Sequence, residues 1–198
     1  MRQFLIGLIV GLIAFPLMAV AFLLSGYAPV GVTDHPLPFE RYIAAEVLEK
    51  GIERRAPTRQ LSSFSAAQIA AGAKSYHQVC GGCHGLLGEA NNFPEPKMYP
   101  PPPKLLTPDG YVTDDPVGAT FWTIKNGIRM TGMPSFGGVL EEDQMWQIAA
   151  LLASADKLPS DVIDVLKQPP FPPASPSASD KPGSAPGAKS EGQATPKH

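Results

Sequence analysis

The sequence predicts an all-α protein preceded by a membrane-crossing segment. Three observations carry that class: a charge-free apolar run near the N-terminus, apolar residues at helical spacing in three later segments, and no sustained two-residue alternation. The 198 residues include 23 prolines and 19 glycines, too many for a compact domain of that length, so part of the chain lies outside the core. A net charge of -2 gives no basic excess for nucleic acid and no acidic excess for a solvating chain.

Residues 1–26 form the first unit. Phe4 to Leu24 carries no charge and as a helix spans about 31 Å, one bilayer crossing. A cleaved signal peptide competes, because Met1 and Arg2 give a positive start and Ala19-Val20-Ala21 has the form of a cleavage site. The apolar run continues past those alanines, which favours an uncleaved anchor, and Arg2 favours a cytoplasmic N-terminus with the rest outside. Residues 27–61 follow as a turn-rich strip and an amphipathic helix over Phe39–Arg55. Its stripe is Phe39, Tyr42, Ala45, Leu48 and Ile52, with Glu46 and Lys50 paired on the polar side. The default expectation is that it packs on the domain.

The globular domain is read as 62–158. Ser65 with Gln68 is a capping-box pattern opening a helix to Val79, with Ile69, Gly72 or Ala73, Tyr76 and Cys80 on one stripe. Seven prolines between Asn91 and Pro108 make an extended loop. A short helix is expected over Asp115–Asn126, closed by Gly127, and a last one over Glu141–Ala155. That last helix has Met145, Ile148, Leu151 and Leu152 inward, with Trp146 flanking. Residues 159–198 read as a proline-rich tail; from Gln168 on, Phe171 is the one large apolar residue, so the tail is expected to be disordered.

Cys80 and Cys83 are the chain's two cysteines, and His84 follows the second. A thioredoxin-like pair needs a βαβ setting, absent from the helix-and-loop pattern. Zinc needs four ligands, and His35, His77 and His198 lack ligand spacing. A disulfide across so small a loop stabilises little. The remaining chemistry is covalent haem: two thioether bonds to neighbouring pyrroles, and an imidazole placed under the iron by the next residue. A thioether opposite the histidine closes the iron's coordination and suits electron transfer. Of Met98, Met130, Met133 and Met145, the last fits core packing, Met98 is not excluded by chemistry, and Met133 is favoured because Pro134 stiffens its loop.

With those residues in place, the stretch from about 62 to 158 resembles a class I monohaem c-type cytochrome. Members occur as membrane-anchored bacterial electron carriers and as haem domains of oxidase and dehydrogenase complexes. Gly72 and Tyr76 match the family's glycine and aromatic ahead of the first cysteine, Pro103-Lys104-Leu105 its P-x-L sequence, and "NGIRMTGMPSFG" its methionine loop. The resemblance implies a cytochrome c fold around one covalent haem c, held by Cys80 and Cys83. It also implies iron between His84 and Met133, and a Pro103 carbonyl on the histidine's other nitrogen. The expected function is one-electron transfer between redox partner proteins in the periplasm, from a single-pass anchor in a bacterial inner membrane. No enzyme activity, small-molecule substrate or nucleic-acid partner is expected. The alternative is a haem-bearing subunit of a larger membrane dehydrogenase or oxidase; a haem sensor or peroxidase needs an open distal site.

Overall fold

The structure is a computed structural model and describes residues 1–88, 97–110 and 112–168. Among these residues there are seven α-helices and no strand, in agreement with the all-α class. Pro94, Pro96 and the segment 169–198, which holds most of the expected tail, lie outside the described residues.

Helix α1 (Arg2–Leu24) buries no residue against the rest of the chain, and its mean hydropathy reaches 2.6. It is long and apolar enough to cross a membrane. Helix α2 (Glu40–Glu53) starts after Phe39, whose φ of 63° makes it a left-handed N-cap, and Glu40 accepts the Leu37 N–H at 2.8 Å. Glu46 and Lys50 pair at 3.0 Å. The expected packing on the domain is only partial. Leu48 and Ile52 are half-buried, whereas Phe39, Tyr42, Ile43 and Val47 stay exposed; Val47 sits about 100° round the helix from Leu48 and so presents a different face.

Helix α3 (Ala66–Val79) begins on Ser65. The Ser65 hydroxyl accepts the Gln68 N–H at 3.3 Å, and the Gln68 side chain accepts the Ser65 N–H at 2.9 Å. Cys80 then leads into α4 (Gly81–His84), a single turn. Helix α5 (Val117–Asn126) starts two residues later than the sequence suggests, since Pro116 keeps Asp115 out of helical conformation. Helix α6 (Glu142–Leu152) is capped where Gln144 accepts the Glu141 N–H at 3.0 Å.

Helices α3 and α6 cross at Gly72. A β-carbon there would collide with the Gln147 carbonyl oxygen, so only glycine lets the two backbones meet. Tyr76, Ile148 and Leu151 are fully buried around that crossing. Trp146 of α6 stacks on Phe121 of α5 with centroids 3.9 Å apart, an aromatic pair worth about 1 kcal/mol beyond its buried area. The Arg59 guanidinium lies 4.3 Å from the Phe64 ring centre and 5.0 Å from that of Trp146, which closes the outer side of this cluster.

The domain does not end at residue 158. Helix α7 (Ser160–Leu166) packs on α3 with Val162 and Leu166 buried, inside the stretch read from sequence as tail. The Leu166 carbonyl accepts the Leu87 N–H at 3.1 Å, and His77 Nε2 donates to the Gln168 carbonyl at 3.0 Å. Seven residues between prolines are too few to display a period. Burial against α3, rather than propensity, holds them helical.

Candidate haem-binding site

The site starts from the turn after α3. His84 N–H donates to the Cys80 carbonyl at 2.9 Å and Cys83 N–H to the same oxygen at 3.1 Å, so three donor side chains leave one helical turn. Tyr76 fixes its end by donating from Oη to the Gly85 carbonyl at 3.0 Å, and burial raises the Tyr76 pKa. Cys80 is buried, Cys83 half-buried, and neither is in a disulfide. Burial pushes the Cys80 thiol up to about 12, with Cys83 adding to the rise. Such a thiol keeps its proton at neutral pH, unlike the attacking cysteine of a redox pair. Among the described residues no three His, Cys, Asp or Glu side chains gather as a metal group.

His84 Nδ1 lies 2.8 Å from the Pro103 carbonyl oxygen. A carbonyl only accepts, so Nδ1 carries the proton and the lone pair is on Nε2. Burial lowers the His84 pKa from its ordinary value; the Pro103 bond opposes this and the Lys104 charge adds to it. The net effect favours neutral imidazole, the form that ligates metal. Of the four consecutive prolines, it is Pro103 whose carbonyl reaches the ring.

Met133 lies on the loop after α5, which ends at Gly127 with φ 67°. Ile128 N–H donates to the Met133 carbonyl at 3.1 Å, and Met133 N–H to Thr131 Oγ1 at 3.1 Å; that hydroxyl donates to Ile128 O at 2.8 Å. Ser135 Oγ and Phe136 N–H bind the Lys125 and Ile124 carbonyls at 2.7 and 3.1 Å, which fastens the loop to the end of α5. Met133 is half-buried, Met145 is packed in the core, and Met130 stands 98% exposed. Met98, left open by the sequence, packs its sulfur against Gly132.

The donors fit a c-type haem: two thiols and a neutral imidazole on one turn, and thioethers on the following loops, with no carboxylate among them. Residues 67–152 form a monohaem c-type cytochrome domain, an electron-transfer unit whose cofactor is a covalently bound c-type haem with its iron. This stretch matches the family model described as cytochrome c oxidase, cbb3-type, subunit III. The chain is also 34% identical over 103 residues to the cbb3-type cytochrome c oxidase subunit FixP of Rhizobium etli. That similarity covers 48% of this chain and 32% of the relative, so the chain spans about a third of the relative's length. No solved structure matches the chain.

These matches correct one expectation. The sequence reading set enzymes aside, yet the family and the relative are described as parts of cytochrome c oxidase, which is an enzyme, although such a subunit itself carries electrons. They also favour the expected alternative, a haem-bearing subunit, over a free carrier. Sequence reasoning missed the support given by Met98, the Tyr76 bond to Gly85 and the His77 bond to Gln168 just after α7. Only Tyr76 had a signal, its spacing from Cys80; the rest are contacts between distant segments.

Proposed function

We propose that this protein is a haem-bearing electron-transfer subunit of a membrane-bound oxidase complex, set on the periplasmic side of a bacterial inner membrane by α1. In this reading Cys80 and Cys83 would hold the porphyrin by thioethers, and His84 and Met133 would bind its iron. The haem iron supplies a one-electron ferrous–ferric change. The chain's residues do the rest: Pro103 holds the His84 ring in one tautomer and orientation, the α3–α6 crossing excludes water, and the Thr131 and Ser135 bonds fix the methionine loop. The observation that carries the reading is the 2.8 Å bond from His84 Nδ1 to Pro103 beside the two free cysteines. The partners proposed are the other subunits of such a complex and a donor protein.

The test is mild solubilisation of native membranes followed by purification on a tag carried by this chain. Co-purification of an oxygen-reducing haem protein in fixed proportion is the expected result; recovery of the chain alone, reducible and freely exchanging, returns the free carrier. In the same preparation, Met133→Ala is expected to remove the long-wavelength charge-transfer band of the oxidised form and admit carbon monoxide to the reduced form. Ready carbon monoxide binding by the unaltered protein would instead favour a sensor or peroxidase.

A further inference from the structure

The segment 97–103 touches three separate parts of the molecule. At one end Tyr99 accepts a hydrogen bond from Arg41 Nε of α2 at 3.2 Å, with the guanidinium 5.4 Å from the ring centre. At the other end Pro103 accepts from His84. Next to Tyr99, Met98 lies against Gly132, the residue just before Met133: a β-carbon on Gly132 would collide with Met98 Sδ and lie 3.1 Å from its Cγ and 3.4 Å from its Cε. Met98 is half-buried there, and its long unbranched side chain suits an irregular gap. The strap that orients the proposed fifth ligand therefore also covers the loop of the proposed sixth.

We propose that Met98 is a positioning residue for Met133, holding the methionine loop closed by filling the space over Gly132. This rests on the reading of His84 and Met133 as axial ligands. An outside ligand reaches the ferric iron only when Met133 has moved away, so its apparent affinity reports the open fraction of the loop. Truncating Met98 removes its contact with Gly132 and raises that fraction. Gly132→Ala does the same from the other side, by pushing Met98 out.

The experiment titrates imidazole into the oxidised, detergent-solubilised full chain, with covalent haem content checked first by the spectrum of the alkaline pyridine complex. Met98→Ala is expected to tighten imidazole binding about tenfold. Met98→Leu, of similar volume, is expected to stay within about twofold of the unaltered protein. Gly132→Ala alone tightens binding, whereas in the Met98→Ala background it adds nothing, because the two changes act on one contact. Unchanged imidazole affinity in Met98→Ala, or full additivity of the two substitutions, overturns the proposal. So does loss of the charge-transfer band in Met98→Leu together with its survival in Met133→Ala, which makes Met98 the ligand. Survival of the band in both Met133→Ala and Met98→Leu defeats the axial-ligand reading instead, and is thereby told apart from failure of the positioning role.

Discussion

The histidine side of the proposed site and its methionine side differ in how far along the chain their supports lie. Cys80, Cys83 and His84 leave one turn, and Tyr76, one turn earlier, locks that turn through Gly85. Met133 instead depends on bonds to the end of α5 and on Met98 from a separate loop. The turn that carries Cys80, Cys83 and His84 is set by local helical geometry, with Pro103 reaching the His84 ring from a separate loop, whereas the methionine loop leans on tertiary contact for its position. The histidine side should thus fail with the fold, while the methionine side should open with the fold intact.

Four substitutions break or sharpen that contrast. Gly72→Leu drives a side chain into the Gln147 carbonyl, separates α3 from α6 and removes both sides together; a loss of at least about 3 kcal/mol in urea unfolding, or failure to accumulate, is expected. Tyr76→Phe leaves the buried Gly85 carbonyl without its donor, and stability should fall by about 1–3 kcal/mol while the charge-transfer band persists. Thr131→Val removes the acceptor of the Met133 N–H at constant shape. Its unfolding midpoint should barely move, yet imidazole should bind roughly fivefold tighter, an opening cost lowered by about 1 kcal/mol.

The smallest effect belongs to Glu142, which pairs with Lys125 at 2.9 Å on the surface between α6 and α5. The hydrogen bond to Lys125 and its charge lower the Glu142 pKa from 4.5, so the contribution is present above that value and lost as pH falls through the lowered one. Glu142→Gln should leave stability at neutral pH nearly unchanged and flatten the acid limb slightly in a pH series of unfolding curves. A large neutral-pH loss would mean that this exposed pair does more than surface pairs ordinarily do.

Much of the fold could be read from the chain because its signals are local. The Ser65–Gln68 capping box, the stripe through Ile148 and Leu151, and the Gly72–Tyr76–Cys80 spacing each lie within a few helical turns. Helix α7 escaped notice because seven residues give no period, and the half-covered face of α2 because periodicity identifies an apolar stripe without saying how much of it finds a partner. Pro103 followed from a family pattern, but which of four prolines turns its carbonyl to His84 depends on the path of the whole loop.

The order Cys-x-x-Cys-His, in a chain with no third cysteine and no βαβ pattern around it, determined the class of cofactor, because each rival chemistry needs a partner or setting that the sequence lacks. The apolar run of α1, likewise, carried the membrane-crossing expectation through length and composition alone. Tertiary structure decided which distant segments meet: the Met98 contact with Gly132, the Arg41 bond to Tyr99 and the His77 bond to Gln168 just after α7. Those contacts join segments far apart in sequence. Their existence follows from how helices cross and loops return, which no local spacing encodes.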